Sequence, residues 1–184
     1  MYKRQIYGTL TWVRSTIVLQ SGGVLARGVT IATRYCSVRR QFQDRDAEQD
    51  GKDENQVINY TMVQIRLLPL LATTFALHFT GKGMMALYEA SQKKMAQKGA
   101  KVSGSARGAG PEETNSSSEL LADLHATSCG LKSLASFTAV EGLEMCRRAC
   151  GGHGYSNFSG IGSWYSDYLP TGKRIFLPID MIVH

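Results

Sequence analysis

The sequence of 184 residues is poor in several features that mark particular protein classes. Only four prolines, together with 19 glycines that follow no period, exclude collagen-like and proline-rich architectures. Four cysteines form no dense framework and no cleavable signal peptide precedes them, so we expect free thiols in a reducing compartment. Internal repeats and strand-type alternation are also missing. A disulfide-stapled or all-β protein is therefore not expected.

Long apolar runs are missing as well. The longest apolar stretch, residues 67–77, is interrupted by Pro69 and by Thr73 and Thr74. It is also shorter than the ~20 residues that cross a bilayer. We therefore expect no transmembrane segment. With 43% hydrophobic and 20% charged residues, the chain has enough apolar material for a packed core.

Helical periodicity is what the sequence has in abundance. Three long helical stretches are predicted at about 7–42, 55–98 and 119–149, followed by a short one at 156–168. This pattern predicts an all-α fold, an antiparallel bundle of three long helices plus a short fourth. Three and a half helices would leave a large apolar face for another chain or segment to cover. The predicted boundaries are a helical domain at 6–171 with a flexible connection at 99–118, and a divergent tail at 172–184.

Features within the helices predict how they pack. The second stretch has a broad apolar face, so it is expected to be central, and Pro69 is expected to bend it. Asn55 is a candidate cap for its first turn. The first stretch carries three glycines, which close approach of a neighbouring helix would compensate; these are Gly22, Gly23 and Gly28. It also shows a predicted polar stripe, formed by Arg14, Ser21, Arg27 and Arg34.

The net charge of +6 is unevenly distributed. Residues 1–45 contain eight basic side chains and only one acidic side chain, Asp44, whereas acids cluster just after them. A basic surface suggests an anionic partner, which could be nucleic acid, a membrane surface or a phosphate-bearing cofactor. Simple solvation of charged faces remains the alternative.

Two short segments carry possible chemistry. The first, TRYCSVRRQF from Thr33, ends a helix with Arg39, Arg40 and Gln41, whose side chains could bind phosphate. The alternative is that these arginines pair with the acids that follow. The second segment, CGGHGY from Cys150, could let a ligand approach bare backbone, or it could simply be a glycine helix cap.

A metal site near the second segment is not expected. Cys146 and Cys150 lie four residues apart on one helix face, and His153 follows closely. A structural zinc site needs four convergent ligands, and the sequence offers no fourth at workable spacing. His78, on the second helix, is expected to be a packed or surface residue.

Taken together, the two segments and their order resemble the acyl-CoA oxidases, flavoproteins of the acyl-CoA dehydrogenase superfamily. The resemblance covers about 7–45, 55–82 and 120–171, and it is carried by RRQF, then ENQ opening a helix, then RRACGGHGY. It implies the first helical domain after the β-domain of that family. It also implies FAD bound at the interface of a homodimer, with no nucleic-acid role.

The resemblance implies specific cofactor-binding residues. Arg39 and Gln41 match residues that reach the flavin pyrophosphate of the partner subunit, with Phe42 beside them. The glycine-rich turn matches the segment that cradles the adenosine end, and Arg148 precedes it at a position that often carries a polar contact. The turn comprises Gly151, Gly152, His153, Gly154 and Tyr155.

The resemblance also implies the reaction, which is α,β-dehydrogenation of an acyl-CoA in fatty acid β-oxidation. A glutamate removes the α-proton, flavin accepts the hydride, and oxygen reoxidises the flavin to give hydrogen peroxide. That glutamate is expected just after Thr171, but residues 172–184 contain Asp180 as their only side-chain carboxylate and lack its motif. No catalytic residue is therefore assigned. We expect a fragment, produced by truncation, splicing or a frame change, that is inactive alone.

The implied location is the peroxisome, although the C-terminus reads Ile-Val-His and is not a Ser-Lys-Leu type address. Two other hypotheses about the function remain open at this point. One is a non-catalytic helical dimerisation module, and the other is a basic helical domain that binds nucleic acid with strong salt dependence. No helix-turn-helix spacing supports the latter.

Overall fold

The protein is described by a computed structural model that covers residues 2–43, 54–104 and 111–172. Its elements are α1 (Tyr2–Val38), α2 (Thr61–Gly104), α3 (Pro111–Ala149) and the short α4 (Ile161–Tyr168). One 3₁₀ turn precedes α2, two lie between α3 and α4, and one follows α4. Over these ranges no strand occurs, and extended pairing is limited to one bridge near the end of α1. The prediction of an all-α fold with three long helices and a short fourth is confirmed.

Successive long helices run antiparallel. Gly22 of α1 lies against His78 of α2, and Leu19 lies against Gly81, so residue numbers rise along one helix as they fall along the other. In contrast, α1 and α3 run parallel, because Arg14 meets His125 and Gly28 meets Leu143. This up-down-up path brings the C-terminal ends of α1 and α3 to the same end of the bundle.

The central helix is α1, so the prediction that the second helix is central was wrong. Helix α1 packs extensively against both α2 and α3, whereas α2 and α3 contact each other less. Its buried face includes Val18, Leu25 and Ala32. Ser21, predicted to lie on a polar stripe, is fully buried, and its hydroxyl donates to the Val18 carbonyl at 2.7 Å. That local bond satisfies the hydroxyl and allows serine to face the core.

Glycines permit the close crossing of α1 and α2. A β-carbon added at Gly22 would lie 2.7 Å from the backbone nitrogen of His78, and one added at Gly81 would lie 2.5 Å from Cα of Leu19. Gly28 similarly faces Leu143, whereas a β-carbon at Gly23 would meet nothing within 4 Å among the described residues. Close approach by a neighbour therefore explains Gly22 and Gly28 but not Gly23.

The apolar face predicted for α2 exists, but it points outward. Its largest side chains are 58–65% exposed; they are Met62, Ile65, Leu68, Phe75 and Phe79. A different set faces the core, comprising Leu67, Leu70, Leu77 and Met84. The spacing of the exposed set, from Ile65 through Leu68 and Phe75 to Phe79, follows the seam of a helix that packs on another helix. The described residues thus leave this face of α2 uncovered.

One helix stretch, Thr61–Ala96, is long and apolar enough to cross a membrane by length and composition, with a mean hydropathy of 1.4. The expectation drawn from the short run at 67–77 overlooked it, because Pro69 and the threonines lower the hydropathy without ending the helix. Core helices of water-soluble bundles share this length and composition. In this structure α2 packs one side against α1.

Several predicted boundaries were wrong. The second and third helices extend into the expected flexible connection, since 99–104 and 111–118 are helical and only 105–110 lie outside the described residues. Pro111 with the two glutamates after it forms a strong helix start, which the prediction passed over. Asn55 does not cap α2, because the helix begins only at Thr61. The backbone N–H of Asn55 instead donates to the Phe42 carbonyl at 2.9 Å. The predicted tail at 172–184 lies outside the described residues except for Gly172.

Candidate functional site

The two segments singled out by the sequence lie at one end of the bundle, where α1 and α3 both end. The hydroxyl of Tyr35, in the last turns of α1, is 3.0 Å from Nδ1 of His153 in the glycine turn. One residue further along, the Cys36 thiol donates to the Ala149 carbonyl at 3.6 Å. These contacts join the segment that carries the arginines to the segment that carries the glycines.

The arginine segment leaves α1 in an extended conformation. The backbone amide of Gln41 donates to the Asn55 carbonyl at 3.0 Å, and the amide of Val57 donates to the Arg39 carbonyl at 2.9 Å. This short ladder holds the arginines against the start of the α2 segment. The side chains of residues 39–42 stay exposed, and Phe42 has a φ of 64° with 68% exposure.

The two arginines of this segment have different surroundings. Arg40 donates from Nη1 to the backbone carbonyl of Glu54 at 2.9 Å, so its guanidinium helps to hold the ladder. Among the described residues, no hydrogen bond or ion pair engages the guanidinium of Arg39. Gln41 likewise keeps an exposed amide, while its backbone carbonyl accepts the Tyr60 hydroxyl at 2.8 Å. Within the described residues, Arg39 is thus the arginine of this pair that is left available for an anion; most of the acids that follow it, at 44–53, lie outside those residues.

The glycine turn is a 3₁₀ helix, Gly151–Tyr155, that follows α3 directly. Gly151 has a φ of 57°, a backbone conformation that glycine adopts without steric cost. Gly154 is buried, and a β-carbon there would overlap the Arg147 carbonyl oxygen. Gly151, Gly152 and His153 remain exposed, so part of the turn presents open backbone to a ligand.

Arg147, which the sequence analysis did not identify, packs against this turn. The guanidinium of Arg147 lies 4.4 Å from the ring centroid of Tyr155 and 5.5 Å from that of Tyr165. It also binds Glu144 in a bidentate manner, with contacts of 2.7 and 2.9 Å. Such an arrangement fixes a planar guanidinium between carboxylate and rings. The turn is therefore anchored to α3 by a side chain as well as by its backbone.

Arg148, the predicted polar contact, shares the same carboxylate. Its Nε donates to Oε1 of Glu144 at 2.9 Å, although the side chain is 66% exposed. The hydrogen bonds from Arg147, and then that from Arg148, lower the pKa of Glu144, while burial acts in the opposite direction. Glu144 precedes the two arginines by three and four positions, a helical spacing that was visible in the sequence.

The electrostatics of this end favour cationic side chains. Both α1 and α3 present their C-terminal ends here, where the partial charge of a helix is negative. Arg147 and Arg148 occupy the last turn of α3 and offset that charge. The long helix α2, which runs antiparallel to α1, begins at the same end, because the segment before Thr61 bonds to the backbone of Arg39 and Gln41. An anion at this place would therefore meet guanidinium groups, the amides of the glycine turn and the positive partial charge of the α2 N-terminus.

The cysteines near the turn are free and buried, as expected. Burial is the main cause that raises the pKa of Cys146 to about 12 and that of Cys150 to about 11. Both thiols therefore stay protonated near neutral pH and are poor metal ligands. Across the described part of the chain, no group of three or more metal-binding side chains occurs.

This end of the bundle therefore combines an available arginine, an open glycine turn and exposed aromatic rings at Phe42, Tyr155 and Phe158. A surface of this kind suits a ligand that carries both phosphate and flat rings. A sequence profile of the acyl-CoA oxidase C-alpha1 domain matches residues 7–173. The chain belongs to the acyl-CoA oxidase family and corresponds to this helical domain.

Individual relatives support the assignment to this family. The chain is 38% identical over 183 residues to peroxisomal acyl-coenzyme A oxidase 1 of Arabidopsis thaliana, with 97% of this chain and 24% of the relative covered. For the human protein of that name, identity is 36% over 165 residues, with 90% and 22% covered. The chain thus spans about a quarter of the length of the curated relatives that it matches.

Solved structures of acyl-CoA oxidases are also similar to this chain. Acyl-CoA oxidase 1 of Arabidopsis thaliana superposes with a TM-score of 0.74 at 38% identity, covering 92% of this chain and 22% of that one. Acyl-CoA oxidase-1 of Caenorhabditis elegans, solved in complex with FAD and ATP, gives a TM-score of 0.70 at 34% identity, with 89% and 21% covered.

Proposed function

We propose that this chain forms the FAD-contacting and subunit-contacting surface of a peroxisomal acyl-CoA oxidase. The observation that carries the proposal is the meeting of the arginine segment and the glycine turn at one end of the bundle, through Tyr35 and His153. The contact puts side chains suited to phosphate and backbone suited to a flat ring on one surface, as binding of a single dinucleotide requires.

The arginine segment would hold the pyrophosphate. The guanidinium of Arg39 has no partner within the described ranges, and Gln41 offers an uncharged donor two residues later. Since a guanidinium binds phosphate oxygens in a bidentate manner, Arg39 would contribute most of the charge-assisted interaction. Phe42 would lie against the same ligand through its exposed ring.

The glycine turn would hold the adenosine end. The exposed residues Gly151, Gly152 and His153 permit close approach to the backbone, and Tyr155 adds a ring that Arg147 holds in place. Arg148 would provide a further polar contact from the last turn of α3. Bound FAD supplies the two-electron chemistry of the family, and these residues bind and orient it.

The site would be completed by a second subunit. The described residues form a surface open to solvent rather than an enclosed pocket, so one copy alone covers only part of a dinucleotide. We propose a homodimer with FAD at the interface, an acyl-CoA substrate in the complete enzyme, and the peroxisome as the location. Relatives of this chain carry peroxisomal names.

A flavin titration tests the cofactor assignment. FAD added to the purified 184-residue chain should show saturable fluorescence quenching, and Arg39→Gln should raise the apparent Kd about tenfold, as loss of a charge-assisted bond implies. Lys82→Gln is the control, because it removes one exposed positive charge from α2 beside the part of that helix that faces Leu19, far from residues 39–42. Equal weakening by both variants would indicate general charge attraction and overturn the assignment.

The subunit assignment has a separate test. Sedimentation velocity with and without FAD should show a shift from monomer towards dimer when FAD is present, and Arg39→Gln should reduce the shift. Salt-sensitive retention of DNA, without any effect of FAD on mass, would instead favour the nucleic-acid alternative.

A further inference from the structure

Tyr35 occupies a special position among the residues of this end of the bundle. Its backbone carbonyl accepts the amide of Arg39 at 2.8 Å, and its side-chain hydroxyl lies 3.0 Å from Nδ1 of His153. The two rings also pack, with centroids 5.0 Å apart and planes inclined by 38°. A single residue therefore contacts both segments of the proposed FAD surface.

The direction of the hydrogen bond determines which imidazole nitrogen carries the proton. A phenol is a stronger donor than acceptor, because its oxygen lone pair is delocalised into the ring. When the Tyr35 hydroxyl donates to Nδ1 of His153, that nitrogen must be unprotonated to accept. In the neutral imidazole, the proton then resides on Nε2, since the bond made by one ring nitrogen sets the state of the other.

The remaining nitrogen of His153 is available to a ligand. His153 is exposed on the glycine turn, and over the described part of the chain its ring has no hydrogen bond other than that with Tyr35. A shallow apolar cavity of about 160 Å³ adjoins the pair and is lined by Ile31, Tyr35, Cys150, His153, Phe158 and Ser159. The His153 imidazole thus lines a cavity that is large enough for part of a ligand.

We propose that Tyr35 is a positioning residue for the cofactor surface: its hydroxyl holds His153 in the Nε2–H tautomer and in a fixed orientation, so that Nε2–H is a ready donor to bound FAD. This inference rests on the proposed function. A donor that is oriented before the ligand arrives costs less ordering entropy on binding. Tyr35 contributes this effect through His153, without having to contact the ligand itself.

The tautomer can be measured directly in the absence of FAD. Long-range ¹H–¹⁵N correlation spectra of the ¹⁵N-histidine-labelled chain at pH 8 distinguish protonated from unprotonated ring nitrogens, and His153→Gln assigns the signals. The wild type should show Nδ1 unprotonated and Nε2 protonated. Tyr35→Phe should move the pattern towards a mixture of tautomers. Tyr88→Phe, which removes a hydroxyl from a ring of α2 that packs against the core, should leave the spectrum unchanged.

The same variants test the consequence for binding. Tyr35→Phe should raise the apparent Kd for FAD about threefold to tenfold, as loss of one oriented hydrogen bond implies, while Tyr88→Phe should not. Thermal melts of both variants show whether the fold is retained. The wild-type spectrum needs only His153→Gln for its assignment, so it decides the tautomer even if Tyr35→Phe does not fold.

The outcomes separate this inference from the proposed function. A proton on Nδ1 in the wild type, or an unchanged spectrum in Tyr35→Phe, overturns the inference whatever FAD does. Unchanged FAD affinity in Tyr35→Phe, with a changed spectrum, overturns the link between tautomer and ligand. Failure of the wild type to quench FAD overturns the proposed function, while the spectrum still reports whether Tyr35 sets the tautomer.

Discussion

Gly154 packs against the backbone of Arg147 so closely that a β-carbon at position 154 would overlap the Arg147 carbonyl oxygen. The turn after α3 can therefore return over the last helical turn only with glycine at this position. The contact places Tyr155 beneath the Arg147 guanidinium, at 4.4 Å. The need for glycine at position 154 thus fixes the position of the Tyr155 ring in the proposed site.

The first prediction concerns this contact. Gly154→Ala should destabilise the protein by about 1–3 kcal/mol, because the new methyl group meets backbone that cannot rotate away. Gly152→Ala is the control, since a β-carbon there meets nothing within 4 Å among the described residues. Urea unfolding of the two variants measures the difference. Equal stability of both would contradict the close packing of the turn.

The second prediction concerns the crossing of α1 and α2. Gly22→Ala should destabilise by about 1–3 kcal/mol, because the β-carbon would press on the backbone at His78, 2.7 Å away. The neighbouring Gly23→Ala should stabilise by up to about 1 kcal/mol, because alanine is a better helix former and that side is open. Denaturant midpoints compare the pair, and a loss of stability in both would argue against the crossing.

The third prediction concerns pH. Burial, and then the charge of Arg14, lower the pKa of His125, whose Nδ1 lies 3.0 Å from the Arg14 guanidinium. The unfolded chain therefore binds a proton at higher pH than the folded one, so stability falls as pH drops below about 6.5 towards the folded pKa. His125→Asn should flatten this part of the profile of Tm against pH. An identical slope in the variant would exclude His125 as the cause.

The fourth prediction concerns a buried hydroxyl. Tyr168 packs against the core, and its hydroxyl has no hydrogen-bond partner within the described residues. Burial raises its pKa to about 12. Tyr168→Phe should leave stability unchanged or raise it by up to about 1 kcal/mol, because it removes an unsatisfied polar atom. Tyr60→Phe, which loses the bond to the Gln41 carbonyl, should not gain stability; a clear loss in Tyr168→Phe would reveal an unseen partner.

The fifth prediction concerns activity. The 184-residue chain, supplied with FAD and palmitoyl-CoA, should release no hydrogen peroxide above background, because no carboxylate in the expected motif follows Thr171. A general base contributes ~10²–10⁴-fold to such a reaction. The peroxide assay should use a full-length acyl-CoA oxidase as a positive control. Turnover comparable to that control would refute the expectation.

Much of the proposed site was predicted from residue types and from the family resemblance. Arginine beside glutamine, and glycines after a helix, indicated phosphate and close approach, and both segments lie at the predicted helix ends. The contribution of Tyr35 could not be predicted, because Tyr35 and His153 lie 118 positions apart in the sequence and no local pattern links them. The different surroundings of Arg39 and Arg40 also depend on a tertiary contact, the bond from Arg40 to the Glu54 carbonyl.

The sequence by itself determined that the protein is helical, how many long helices it has and that α3 ends at the glycines, because these follow from side-chain periodicity and local backbone preference. Only the tertiary structure decided that α1 is central and that the broad apolar face of α2 points outward. Both results depend on the close contacts of Gly22 and Gly81, which turn one side of α2 towards α1. The up-down-up path then brings the ends of α1 and α3 together, and no local pattern encodes that meeting.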